Sequence, residues 1–175
     1  NFGMDVFDVE KYNIHGTSIR IFVCFKEKRK IEEGVKRFLE LEDEKGIYKK
    51  EKLDEFSDKV KSHKKYFLDL LMELKKQDKK IIGISAPAKG NTLLQYCGIN
   101  SGIIDYITDN APGKQGKYTP GTHVPIVPPA QLKKNTPDYI LLLAWNYAES
   151  IIEKEKWFLQ GGGKFIIPIP EPKII

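Results

Sequence analysis

From residue 80 onward the chain changes character at regular intervals, and this alternation constrains the fold more than any other feature. Apolar, β-rich runs stand at "KIIGIS" (80–85), "IDYITD" (104–109), "DYILLLAW" (138–145) and "KFIIPIP" (164–170). Between them lie helix-like segments, "AKGNTLLQYCG", "PPAQLKK" and "NYAESIIEKEKWFLQ". Strands alternating with helices build βαβ units, whose parallel sheet is covered by helices on both faces. Nearly continuous apolar runs suit strands buried on both sides. The expectation for 80–175 is therefore an α/β, Rossmann-like domain. Ligands meet such sheets at the carboxyl ends of the strands, near the switch in strand order. That rule points to the loops 85–91, 109–123, 144–147 and 168–172.

Two other segments precede this domain. In 1–25, "MDVFDVEKY" and "TSIRIFVCF" alternate as strands do, joined by the turn-like "NIHG". Two strands alone are marginal in water, so they need the rest of the chain or further strands to pack on. In 26–79, Leu53, Phe56, Val60, His63, Phe67, Leu70 and Leu74 recur three and four apart, one apolar stripe along a helix of about seven turns. A shorter helix with Ile31, Val35, Phe38 and Leu39 precedes it, and the Gly46 region makes the turn. The expectation is a long αα-hairpin, able to bridge domains or to pack on a partner.

Composition narrows the function classes. The net charge of +5 suggests nucleic acid, but residues 26–80 hold 18 basic against 14 acidic side chains and so account for four of those charges. A mixed-sign stretch reads as solvated helix faces, and no basic-aromatic platform accompanies it; nucleic-acid binding is not expected. No apolar run approaches the roughly 20 residues of a membrane span, and no signal peptide is seen. Membrane association is not expected, and a cytoplasmic location is. Cys24 and Cys97 lie in apolar surroundings without a CxxC or Cys/His cluster, which predicts buried structural thiols and no metal site. The opening "NFGMDVFDVE" lacks an initiator Met and reads as the start of a fragment.

The first strand-end loop runs Ser85, Ala86, Pro87, Ala88, Lys89, Gly90, Asn91, Thr92 into an apolar helix. Small residues let a ligand approach the backbone, and a helix start offers unpaired N–H groups with partial positive charge. Lys89 adds a full charge, and Ser85, Asn91 and Thr92 add hydrogen-bonding groups. The spacing is neither GxGxxG nor GxxxxGK[ST], so ligand binding and a plain strand-to-helix turn both stand. The second loop, "DNAPGKQGKYTPGTHVPIVPP", is long for a compact domain, as functional loops are. Its proline content argues against disorder. Asp109 suits either a sugar or ribose hydroxyl or a loop cap, and His123 reads as a hydrogen-bonding wall more than as an acid/base. Trp145 can line a sugar or base, while Asn146 suits a helix cap. "QGGGKF" follows a helix and precedes a strand, so its glycines end that helix. His63 falls in the apolar stripe and reads as packed. His15 and Arg20 sit near a strand junction, and nothing supplies a nucleophile or a catalytic constellation.

Three stretches in order, "APAKGNTLLQYCGI", "DNAPGKQGKYTPGTHVPI" and "FIIPIPE", resemble the C-terminal domain of sugar C-methyltransferases. These enzymes use S-adenosylmethionine to methylate a carbon of nucleotide-linked deoxysugars. "FDVEKYNIHGTSIRIFV" looks like the segment that joins their methyltransferase domain to this one. The resemblance implies that 1–25 are the last strands of an upstream methyltransferase domain, 26–79 a helical linker, and 80–175 a nucleotide-sugar-anchoring domain. It assigns Lys89, Gly90, Asn91 and Thr92, beside Ser85 and Pro87, to phosphate or sugar contact. Gln115, Tyr118, Gly121 and His123 form a second wall, and Asp109, Trp145 and Asn146 complete the candidate site. S-adenosylmethionine and zinc are implied for the longer enzyme, with neither expected on this chain, which would be inactive alone. Two positions depart from the family pattern: Ser85 stands where glycine is common, and Thr17 replaces the second glycine of "HGGS". Two other readings stand beside this one: a self-contained Rossmann-type protein binding NAD or another nucleotide, and a helical interaction module that forms a homodimer.

Overall fold

A computed structural model of the chain describes residues 2–14 and 16–175, and residues 1–59 and 60–175 form two compact units. His15 lies outside the described residues.

In the first unit, β1 (Met4–Tyr12) and β2 (Ser18–Phe25) pair antiparallel, with a register shift between Val6 and Asp8. The alternation in sequence becomes two unlike faces. Met4, Val6, Ile19, Ile21, Val23 and Phe25 are each between 40% and 68% exposed. They form an apolar row without a cover in this unit. Among the polar side chains, the Arg20 guanidinium lies 4.2 Å from the centre of the Tyr12 ring and donates to its hydroxyl. Helix α1 (Glu33–Lys45) packs on β1. The approach is close because Gly34 lacks a side chain: a Cβ there would stand 2.7 Å from the Val9 carbonyl oxygen. Gly46, with φ 62°, ends α1 by donating to the carbonyls of Asp43 and Glu42, an arrangement that glycine adopts without strain.

Helix α2 (Lys50–Lys76) has the expected period but not a uniform environment. Leu53 and Phe56 are 58% and 67% exposed, whereas Phe67, Leu71 and Leu74 are buried. The apolar stripe is covered at its C-terminal end only. Within the second unit, His63 is a packed, half-buried side chain, as expected, and its ring donates to a backbone carbonyl. Its Nε2 is 2.6 Å from the Pro168 carbonyl oxygen, and its ring tilts against Phe67.

The second unit is a six-stranded sheet in the order β5-β4-β3-β6-β7-β8. Its strands are β3 (Ile81–Ile84), β4 (Ile107–Thr108), β5 (Ile126–Val127), β6 (Tyr139–Leu142), β7 (Lys164–Ile167) and β8 (Lys173–Ile174). β3 to β7 run parallel, and β8 pairs antiparallel with β7. The four expected strands are present; β5 and β8 were not anticipated, and β8 makes the sheet mixed rather than parallel throughout. Helices cover both faces, as side-chain alternation along each strand dictates. On one face, Ile81, Leu141 and Ile166 pack with Phe67 and Leu71 of α2 and with Leu93, Leu94 and Cys97 of α3 (Ala88–Cys97). On the other, Ile82, Ile140, Leu142 and Phe165 meet Leu132 of α4 (Ala130–Lys134), Ile151 of α5 (Ala148–Lys154) and Phe158 of α6 (Lys156–Gln160). Each such aliphatic side chain contributes roughly 1.5–3 kcal/mol when fully buried.

The segment expected as one helix over 146–160 is a 3-10 turn (Trp145–Tyr147) followed by α5 and α6, which break at Glu155. The three glycines after α6 end it, as anticipated; Gly162 has φ 87°, and the Gly161 N–H donates to the Trp157 carbonyl.

Candidate functional site

The chain enters the sheet at β3, builds outward through β4 and β5, then crosses back to β6 on the other side of β3. The switch in strand order therefore lies between β3 and β6. Their carboxyl ends lead into Ser85–Pro87 and Leu143–Asn146. The β3 exit is drawn tightly: the Ser85 N–H donates to the Thr108 carbonyl at 2.7 Å, and Ser85 has φ 66°. That left-handed backbone is ordinary for glycine and strained for serine. It is a backbone that the glycine implied here by the family resemblance would adopt freely. The same holds at Thr17, where φ is 131°. α3 begins at Pro87 without a side-chain cap. It packs close to the end of β6 because a Cβ on Gly90 would lie 2.9 Å from the Leu143 Cβ.

Asp109, which follows β4, holds the two loops together. It is 9% exposed. Its Oδ2 accepts from the Ala86 N–H (2.7 Å) and from Lys114 Nζ (3.1 Å), and its Oδ1 accepts from the Ala111 N–H (2.8 Å). Lys114 Nζ also donates to the Ala86 carbonyl at 3.0 Å, and Gln115 Nε2 to the Asp109 carbonyl at 2.9 Å. Burial pushes the Asp109 carboxyl up, but the Ala111 and Ala86 N–H groups and the Lys114 ammonium outweigh it and leave it below its ordinary value. Of the two roles open to this side chain, a sugar or ribose hydroxyl contact and a loop cap, its bonds are those of the cap. Gln115 is tied into the same knot.

Further along the loop, the Thr119 N–H donates to the Val124 carbonyl, and the Thr119 hydroxyl accepts from the Val124 N–H and lies 2.7 Å from that of Thr122. The Gln95 amide on α3 donates to the Pro120 carbonyl. These bonds hold the loop over α3 and leave a pocket of about 480 Å³ between them. Ala86, Pro87, Ala88, Asn91 and Thr92 line one side; Lys114, Lys117, Tyr118, Thr119 and Pro120 line the other; Leu94, Ile107, Ile126 and Leu143 form the floor. The segments 86–92 and 109–123 therefore face each other across a crevice. It is less polar than the sequence suggested.

Of the candidate residues, Pro87, Asn91, Thr92 and Tyr118 line this pocket. Gly90 lies beneath it against β6, and exposed Gly121 and His123 stand on the loop beyond it. Ser85 lines a separate small cavity with Asn110. Lys89, Trp145 and Asn146 form a second cluster at the switch point. The Lys89 ammonium donates to Asn146 Oδ1 and lies 4.9 Å from the centre of the Trp145 ring. Asn146 Nδ2 is buried without a hydrogen-bond partner, and Trp145 and Asn146 line an open crevice with Tyr147, Ser150 and Lys173. Asn146 lies inside the 3-10 turn, and Ala144 and Tyr147, not Asn146, hold the N-cap positions of that turn and of α5.

Lys114 and Lys117 were passed over in the sequence. They are the two cations inside the proline- and glycine-rich loop, a placement that would have marked them. Cys97 is buried and its thiol is pushed up by that burial, with Lys64 opposing; Cys24 is half-buried rather than buried, and both are free. Among the described residues no group of three or more His, Cys, Asp or Glu is placed to hold a metal ion, and no helix is long and apolar enough to cross a membrane.

Comparison with known proteins agrees with the resemblance read from the motifs. Residues 13–170 match the model of the C-methyltransferase C-terminal domain. The chain is also similar to the C-methyltransferase NovU of Streptomyces niveus, with 38% identity over 174 residues, 99% of this chain and 41% of that protein. It thus spans about two fifths of the relative's length. The match covers both loops of the pocket, the Asp109 knot and the switch-point cluster, and the chain belongs to the C-methyltransferase C-terminal domain family.

Proposed function

We propose that this chain is the nucleotide-sugar-holding domain of an S-adenosylmethionine-dependent C-methyltransferase that methylates a sugar carbon through an enolate. The carrying observation is the pocket at the carboxyl edge of the sheet, where the β3–α3 loop and the 109–123 loop meet. Pro87, Asn91, Thr92 and Tyr118 are the contact residues there, with Gly90 admitting the close approach of α3. Ser85, Gln115, Gly121 and His123 shape the loops around it, and Asp109 acts through Ala86 and Lys114. Lys89, Trp145 and Asn146 contact the sugar end. Holding the nucleotide tail lets remote binding energy orient the reacting carbon.

A methyl-donor site does not fit this chain. The strand-end carboxylate suited to ribose hydroxyls is Asp109, which is 9% exposed and already accepts three donors. The same observation counts against a self-contained NAD-binding protein. On this reading the donor, the zinc and the base that the family resemblance implies belong to a segment upstream, and the chain alone is expected to transfer no methyl group. The uncovered apolar row on β1 and β2 is the surface on which that methyltransferase domain packs.

Calorimetry of the chain with dTDP and a dTDP-sugar tests the reading. Dissociation constants below about 1 mM, equivalent to roughly −4 kcal/mol, are expected. Binding weaker than that for both ligands refutes it.

A second role has its own observation. Exposed Leu53 and Phe56 line a surface groove of about 500 Å³ with Ile47 and Lys52, which suits self-association into a homodimer. Light scattering should report a dimer that Phe56→Glu converts to monomer; a monomer at every concentration removes this role.

A further inference from the structure

The pocket is chemically divided. Leu94, Ile107, Ile126 and Leu143 belong to the hydrophobic core, yet all four line its floor. The cations, Lys114 and Lys117, come from the loop on one side. Burying an anion against four aliphatic side chains is costly, whereas a flat ring with a polar edge suits such a floor. Tyr118, 63% exposed, offers an aromatic face beside it. Asn91 adds a polar group: it lines the pocket, and its Oδ1 is shielded with no hydrogen-bond partner. An amide carries both an acceptor and donors. A half-turn about its last torsion directs either toward a ring edge that presents a neighbouring donor and acceptor.

Resting on the nucleotide-sugar reading, we propose that this pocket is the nucleobase subsite. The base enters over Leu94 and Leu143, the Asn91 amide reads its edge, and the diphosphate stays at the mouth with Lys114 and Lys117. An ammonium has three donors; Lys114 directs two to Asp109 and Ala86, leaving one for a phosphate oxygen. Lys117 carries the charge that no carboxylate of the pocket neutralises. The orientation is base inward and phosphates outward. The strand-end carboxylate serves as a positioning residue for Lys114 rather than as a ribose ligand.

The test compares dTDP with inorganic pyrophosphate, which shares the anion and lacks the base, by calorimetry on the 175-residue chain. Wild type should bind dTDP at least tenfold more tightly than pyrophosphate. Thr92→Trp places an indole in the pocket from an exposed helix position; it should bring dTDP to the pyrophosphate level and leave pyrophosphate itself unchanged. Asn91→Leu should weaken dTDP alone, and Lys117→Met should weaken both ligands. Should Thr92→Trp lose the circular dichroism of the wild type, Asn91→Leu and Tyr118→Ala decide instead. Wild-type dTDP binding that these pocket variants leave intact places the base elsewhere and overturns the subsite while the nucleotide-sugar reading survives. Equal affinity for dTDP and pyrophosphate also overturns the subsite, and no dTDP binding at all overturns both readings.

Discussion

Replacing Asp109 by asparagine keeps the shape of the side chain and removes its charge. The carboxylate accepts from Ala86 N–H, Ala111 N–H and Lys114 Nζ. Asparagine has one oxygen for these three donors. In its better orientation the oxygen stays with Ala86 and Lys114, and the NH2 group then faces the Ala111 N–H. One charge-assisted bond is lost, at roughly 1.5–3 kcal/mol, and the two that remain lose their anionic acceptor, at roughly 0.5–1 kcal/mol each. The expected loss is about 2.5–5 kcal/mol, a large share of the 5–15 kcal/mol typical of a domain. Urea unfolding followed by tryptophan fluorescence suits the measurement, because Trp145 and Trp157, the two tryptophans of the chain, both lie in the second unit. The pH dependence has a definite sign. The carboxyl of Asp109 is lowered in the folded state, so its contribution is fully present above the unfolded value of about 4 and is lost as pH falls through the lower folded value. The difference between wild type and Asp109→Asn should therefore be constant near neutrality and shrink below about pH 4. A loss under about 1 kcal/mol at pH 7, or a difference that grows on acidification, would refute the knot.

Three other outcomes follow from the geometry around it. Ser85→Gly relieves a positive φ and should leave stability unchanged or raise it by up to about 1 kcal/mol, whereas β-branched Ser85→Val should cost about 2 kcal/mol or more in the same urea assay. Gly90→Ala sets a Cβ 2.9 Å from that of Leu143; overpacking of this kind costs about 1–3 kcal/mol, and an unchanged thermal midpoint would show that α3 shifts freely. Lys89→Ala removes the ammonium bonded to Asn146 and stacked near Trp145, and calorimetry should show a weaker dTDP-sugar complex with dTDP itself little affected.

How much of this was legible depended on whether the determining partner was near in sequence. β3, β6 and β7 were readable because strands buried on both faces are apolar throughout, and "IIGI", "YILL" and "KFII" leave few alternatives. β5 was hidden: Ile126 and Val127 are two residues among Pro125, Pro128 and Pro129, and their pairing with Ile107 and Thr108 is not encoded in a local pattern. β8 was missed for a similar reason, since its antiparallel pairing requires the reversal at Pro168–Pro172. The period of α2 was visible, but period alone does not say which part of a stripe is covered, and Leu53 and Phe67 look alike in sequence.

The site shows the same division more sharply. Which loops lie at the strand ends followed from chain direction alone, and two of the four, 85–91 and 109–123, form the pocket. The role of each polar side chain did not follow. An aspartate that ends a strand can face a ligand or turn back into the protein, and what decides is whether donors are already in place. Here the backbone N–H groups of Ala86 and Ala111 and the ammonium of Lys114 surround it, and two of the three come from its own loop. That loop therefore brings both the cation and the carboxylate that aims it. The pocket mouth is set by an ion pair that spacing could not distinguish from two independent ligand contacts. Ser85 fits the same scheme, because its strained φ turns the Ala86 N–H toward Asp109. The strain at the β3 exit and the burial of the carboxylate are then one arrangement, and removing the acceptor should release both.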